Sequence, residues 1–107
     1  MPKYISLVSF TQEGYQNLKD TQKRAFAFAE NAKKRGIFIQ ETYWTIGRYD
    51  IVHVFEAPDD RAAASVAFAL SSMGNVRTET LRAFDADEME KILGEAYELH
   101  MDKGSLK

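Results

Sequence analysis

Tyr43-Trp44-Thr45-Ile46-Gly47-Arg48-Tyr49-Asp50-Ile51-Val52-His53-Val54-Phe55-Glu56-Ala57 is the stretch that decides the fold. It holds the end of one alternating run, Ile37–Thr45, and the whole of another, Tyr49–Ala57, joined through Ile46-Gly47-Arg48. A glycine before a second alternating run is a hairpin signal. In the first run Ile37, Ile39, Glu41 and Tyr43 alternate with Phe38, Gln40, Thr42 and Trp44. In the second, Val52 and Val54 oppose Ile51, His53 and Phe55.

On each side of this hairpin the chain reads as one helix and one strand. Upstream, Asp20 caps a helix over Thr21–Arg35, Lys33, Lys34 and Arg35 suit its negative end, and Gly36 takes the position after it. Its inward stripe is Ala25, Phe28, Ala29 and Ala32. A turn opened by Thr11 and running through Leu18 connects it to a first strand, residues 3–10. Downstream, Pro58-Asp59-Asp60 starts a helix that runs to about Met73 with the stripe Ala62, Val66, Ala69, Leu70 and Met73. Gly74-Asn75 ends it, and Val76–Phe84 is the fourth strand. Asp85 with Glu88 resembles a capping box for a third helix to about Leu99, apolar at Met89, Ile92, Leu93 and Ala96. Met101–Lys107 is expected to fray.

The order β-α-β-β-α-β plus a terminal helix is that of an α+β, ferredoxin-like two-layer sandwich with an antiparallel sheet in the order 4-1-3-2. The whole chain, 1–107, reads as one domain with a core over 3–84, a C-terminal helix over 85–99 and a tail over 100–107. With Ile5, Leu7, Ile37, Ile39, Val52, Val54, Leu81 and Ala83 turned to the helices, the other sheet face presents the opposite set. That set is Tyr4, Ser6, Val8, Phe10, Phe38, Thr42, Trp44, Ile51, His53, Phe55, Thr78, Thr80 and Arg82. So large an apolar face predicts a homo-oligomer, a dimer or higher, formed through the open sheet face. Phe26 and Phe68 fall off the helical stripes and call for a cover, either the terminal helix or a second interface.

Composition narrows the function classes. A chain of 107 residues with 45% hydrophobic and 28% charged residues folds as one globule and has no room for separate cofactor and substrate domains. No cysteine means no disulfide, thiolate metal site or cysteine nucleophile, and two isolated histidines cannot build a metal site without carboxylates gathered from elsewhere; no metal and no cofactor is assigned. The net charge of −2 divides unevenly: residues 1–84 carry 11 basic and 9 acidic groups, residues 85–107 carry 3 and 7. Basic residues are not interleaved with aromatics on a strand, which argues against nucleic acid. The absence of a signal region or an apolar run of about 20 residues argues against a membrane and for a cytoplasmic protein. There is no glycine-rich phosphate loop and no Gly-x-Ser-x-Gly elbow.

Three stretches carry a family resemblance: Tyr43-Trp44-Thr45-Ile46-Gly47-Arg48-Tyr49-Asp50, Ala57-Pro58-Asp59-Asp60, and Gly74-Asn75-Val76-Arg77-Thr78-Glu79-Thr80-Leu81-Arg82-Ala83-Phe84. With Tyr4-Ile5-Ser6-Leu7 and Thr11, they resemble the GYD domain proteins, small bacterial proteins named for a Gly-Tyr-Asp motif, over residues 4–92. Here Arg48 stands between the glycine and the Tyr-Asp pair. The resemblance implies a dimeric α/β barrel, two ferredoxin-like sheets face to face around a cavity. It implies no particular activity.

The candidate ligand-binding residues are Ser6, Trp44, Tyr49, Asp50, His53, Thr80 and Arg82, and His53 is the one catalytic candidate. In an apolar cavity His53 can take a proton near neutral pH; at a subunit interface it would simply be hydrogen-bonded. Tyr49 and Asp50 at the hairpin mouth can orient a polar ligand, or Asp50 can serve the turn by accepting backbone N–H groups. Arg82, expected near Thr80 and Ser6, can hold a carboxylate or phosphate, or pair with Glu41 or Asp50 of the partner subunit. Trp44 can stack on a planar ligand or seal a dimer contact. These residues suit an oligomeric small-molecule-binding module whose cavity lies between paired sheets and takes a small organic ligand. The alternatives are a cofactor-free monooxygenase- or isomerase-like enzyme with His53 as proton acceptor, and a subunit whose task is assembly alone.

Overall fold

In a computed structural model, which describes residues 1–102, the hairpin forms between β2 (Phe38–Trp44) and β3 (Ile51–Glu56). The other strands are β1 (Lys3–Phe10) and β4 (Val76–Ala83). A single four-stranded sheet runs β2-β3-β1-β4, which is 4-1-3-2 read from the opposite edge, and every neighbouring pair is antiparallel. The helices are α1 (Gln12–Gln16), α2 (Thr21–Lys33), α3 (Asp60–Ser72) and α4 (Ala86–Asp102), with a 3-10 turn at Leu18–Asp20 before α2. The architecture is ferredoxin-like.

Local chemistry explains the boundaries. Gly47, at φ 110°, takes the left-handed conformation the hairpin loop needs, and the loop closes through Thr45 N–H to the Asp50 carbonyl at 2.8 Å. Asp59 caps α3 by accepting the Ala62 N–H at 2.9 Å. Asp20 does not cap α2: it belongs to the 3-10 turn, which passes directly into the helix, and its side chain makes no capping bond. Thr11 caps α1 by accepting the Gly14 N–H at 3.0 Å and donates to the Gly74 carbonyl at 2.6 Å. This clamp brings Gly14 against the α3–β4 loop so closely that a Cβ there would lie 2.0 Å from the Asn75 carbonyl oxygen. Only glycine fits that crossing.

The two faces of the sheet are the reverse of the sequence-based expectation. Tyr4, Val8, Phe10, Ile51 and Phe55 are buried, and Tyr4 and Phe55 share a core with Ala32, Ala63, Val66 and Leu70 of the helices. Ser6 and His53 are buried on that same side. Ile5, Leu7, Val52 and Val54 are half-buried within the chain and, with exposed Leu81, lie on the uncovered face. Volume decides between the faces. The inward stripes of α2 and α3 are mostly alanine, so the space between layers is filled only when the bulky set lies beneath them.

The second reason is a bulge in β2. Ile39 pairs with Phe55 and Thr42 with His53, so three steps on β2 match two on β3, the register shifting between Ile39 and Glu41. Ile37 and Ile39 therefore lie toward the helices, as expected, and so do Thr42 and Trp44 beyond the bulge. Strict alternation through β2 put Ile39 and Thr42 on opposite faces. The bulge unites them.

The terminal helix departs from expectation too. It runs to Asp102 rather than Leu99; residues 103–107 of the expected tail lie outside the described residues. Its capping box is formed, with Glu88 N–H to Asp85 Oδ1 at 2.8 Å and Asp85 N–H to Glu88 Oε1 at 3.2 Å. It does not cover the helical layer: Phe26 and Phe68 stay 70% and 77% exposed. Instead α4 runs away from the domain with Met89, Leu93, Tyr97 and Leu99 exposed, stretching the chain to 59 Å along its longest axis.

Candidate functional site

Strand register places four short polar side chains in one row across the sheet, beneath the helices. Thr42 pairs with His53, His53 with Ser6, and Ser6 with Thr80, one residue from each strand. Polar groups here are costly unless they are bonded. Thr42 Oγ1 and His53 Nδ1 lie 2.9 Å apart and answer for each other. Ser6 Oγ and Thr80 Oγ1 are buried without a protein partner among the described residues. His53 is 5% exposed, and burial pushes its pKa below the ordinary 6.5, so the imidazole is neutral near pH 7.

A neutral imidazole offers two chemistries. With Nδ1–H donated to Thr42, Nε2 accepts a proton; with Thr42 as donor, Nε2 carries the proton and donates. His53 is therefore a buried residue of one chain's core, not a residue of an interface through the open sheet face.

Next to the row is a cavity of about 40 Å³, roofed by α2. Val8, Phe10, Phe28 and Ile51 give it apolar walls, and His53, Thr21 and Arg24 bring polar groups. Arg24 Nη1 donates to the Asn17 carbonyl at 2.7 Å, while Nη2 is buried without a protein partner. Trp44 closes the same side by donating its indole N–H to Thr21 Oγ1 at 3.1 Å.

The sequence-based candidates thus divide. Ser6, His53 and Thr80 come together, and Trp44 lies on the same side of the sheet beyond His53. Arg82 is also on this side, but it is engaged within its own chain: Glu88 at 3.3 Å, the Lys3 and Ala83 carbonyls, and the rings of Tyr4 and Phe84 at 5.6 and 4.5 Å. Within the chain the partner of Arg82 is Glu88, because the capping box holds that carboxylate beside the end of β4. Asp50 serves structure: it accepts the Phe10 N–H at 2.8 Å and the Tyr15 hydroxyl at 3.1 Å, tying the hairpin to β1 and α1. Tyr49 points to the uncovered face, where it donates to Glu79 at 2.6 Å, a bond that holds its pKa above the ordinary range.

Sequence reasoning missed Thr21, Arg24 and Thr42 as site residues. The signal for the first two was present: Thr21, Arg24, Ala25 and Phe28 follow the i, i+3, i+4, i+7 rule, so the stripe of α2 begins one turn earlier than its apolar residues suggest. Thr42 stands in the same face set as His53, Ser6 and Thr80, but nothing local in the sequence marks the cross-strand register that sets it opposite His53.

Fold and site together define a ferredoxin-like α+β protein with a buried polar row under its helices and an uncovered apolar sheet face. The chain belongs to the GYD domain family, whose model matches residues 4–93. It is 31% identical over 90 residues, 83% of this chain and 95% of the relative, to the glutamine synthetase and cystathionine beta-lyase binding protein of Thermus thermophilus. No solved structure matches it significantly. No helix among the described residues is long and apolar enough to cross a membrane.

Proposed function

We propose that the protein is a self-assembling, protein-binding module: two copies pair through their uncovered sheet faces, and the pair docks on a larger protein through α4. The observation that carries this reading is the uncovered face itself. Ile5, Leu7, Val52, Val54 and Leu81 form its apolar centre, while Lys3 and Arg77 with Glu41, Glu56 and Glu79 supply charges of both signs on the same strand faces. A two-fold contact places one patch against itself, and such a mixed surface is able to complement itself. The second apolar surface, the exposed stripe of α4, has acidic neighbours at Asp87, Glu90, Glu95 and Glu98 and suits a groove with a basic rim.

The Thermus relative is named for binding two enzymes. By that likeness, glutamine synthetase and cystathionine beta-lyase are the first partners to test. The small-molecule reading does not compete with this one, but its place changes: a cavity between paired sheets would not receive Ser6, His53 or Thr80. Any ligand for those residues would enter beneath the helices of one chain.

Light scattering on the eluting protein is expected to show a dimer, and Leu7→Glu, a charge at the centre of the uncovered face, is expected to give a folded monomer. A native protein that is monomeric at micromolar concentration contradicts the pairing. With purified glutamine synthetase immobilised, Leu93→Asp on α4 is expected to abolish binding and leave the dimer intact. Unchanged binding by that variant removes α4 as the docking element.

A further inference from the structure

The chamber beneath α2 combines features that a merely unfilled core would not share. Its walls are apolar, yet one nitrogen of the Arg24 guanidinium is buried beside it with no acceptor, and among the described residues no carboxylate pairs with Arg24. One guanidinium nitrogen buried without an acceptor is costly even though Arg24 as a whole is only half-buried and its Nη1 is bonded at the surface, and an anion oxygen in the chamber removes that cost. Among the described residues that line the chamber, none is Asp or Glu, so a bound ammonium group would go unanswered. Its 40 Å³ is room for about three water-sized groups, enough for the carbons of a short acid whose carboxylate oxygens sit at the mouth beside half-buried Arg24.

The geometry points to a binding site for a short-chain monocarboxylate, its carboxylate held by Arg24 with His53 as a second donor and its alkyl chain against Val8, Phe28 and Ile51. Each boundary of that class has a cause. One cation matches one negative charge, so a dicarboxylate or phosphate would carry an unmatched charge into an apolar site. An α-amino acid fails on its ammonium group. A long acyl chain fails on volume. A guanidinium favours a planar, two-oxygen acceptor over a spherical anion. The site lies entirely on the helix-covered side of one chain, so it does not depend on how copies pair.

Sodium propionate titrated into the full-length protein, followed by nitrogen-edited NMR, tests this. Saturable shifts are expected at the amides of Thr21, Arg24, Ile51 and His53, with no comparable response to the neutral isostere propionamide. Arg24→Gln is expected to weaken propionate binding by about tenfold or more, the loss of one charge-assisted pair. Ala25→Leu, which keeps the guanidinium and fills the chamber, is expected to block binding as well, and it serves should Arg24→Gln fold poorly. The site is overturned if propionate gives no saturable shifts or shifts only surface lysines. It is also overturned if propionamide binds equally, or if a folded variant binds like the native protein.

Discussion

The two faces of this sheet are built from the same strands, residue by residue in alternation, yet they solve different problems. The face under the helices carries Tyr4, Val8, Phe10 and Phe55, with the stacked Tyr4 and Phe55 rings 5.4 Å apart, and one polar row across its middle. The other carries branched aliphatic residues with charged neighbours. Alanine-rich helices approach a sheet closely and need large side chains opposite; a flat aliphatic patch suits a second sheet. What a face is packed against is written partly in the element that covers it.

The largest expected effect breaks that comparison directly. Phe55, fully buried between the layers, should cost about 3–5 kcal/mol when replaced by alanine. Its neighbour Val54, on the uncovered side, should cost the isolated chain at most about 1 kcal/mol on the same change, and should instead weaken pairing. Urea unfolding at a fixed slope separates the two, run beside a dilution series. Equal losses for both variants in a dilute monomer would erase the distinction between the faces.

How the faces came to be misread shows what sequence holds and what it does not. Element order and the Asp85–Glu88 box are local signals, strand order follows from element order through the handedness of the crossovers, and all were legible. The choice of face is not local. Ile5, Leu7, Val52 and Val54 look as core-like as Tyr4, Val8, Ile51 and Phe55, and only a comparison of side-chain volumes with α2 and α3 tells them apart. The bulge in β2 is harder still, since Gln40 carries no glycine or proline to mark it. The family motif was plain at Gly47–Asp50, and of the two roles open to its aspartate the structure shows the bracing one, an acceptor for the Phe10 N–H. Arg24, which the sequence showed only as one charge on a helix, lines a chamber together with His53.

A smaller effect sharpens the contrast by pH. Tyr4 donates to Asp60 at 2.6 Å, and burial, reinforced by that carboxylate, pushes its pKa from 10.0 up to about 12. Between those values the unfolded chain loses the proton first, so stability should fall as pH rises from 10 towards 12. His53 acts at the other end. Its folded pKa lies below 6.5, so as pH falls below that value the unfolded chain binds the proton first and stability should fall. Tyr4→Phe should flatten the alkaline limb and His53→Gln the acidic one, each read from unfolding midpoints across pH. A His53→Gln variant with an unchanged acidic limb would mean the imidazole is wetter than its surroundings imply.

The smallest effect concerns α4, where stability and function separate. Beyond its first turn, where Glu88 meets Arg82, α4 has little tertiary packing to hold it, so its order rests mainly on its cap, its charges and its propensity. Asp85→Ala removes the bond to the Glu88 N–H and should cost about 1 kcal/mol of helix stability. Glu88→Gln keeps an acceptor for the Asp85 N–H but neutralises the partner of Arg82; that pair is 30% and 40% exposed, so its loss should cost about 0.5 kcal/mol or less. Neither change should move the urea midpoint of the β-sheet core. Both should speed amide exchange along residues 86–100, Asp85→Ala the more. If Asp85→Ala instead lowered the midpoint of the whole domain, α4 would be packed on it in solution, and the exposed stripe of Met89, Leu93 and Tyr97 would belong to the core rather than to a partner.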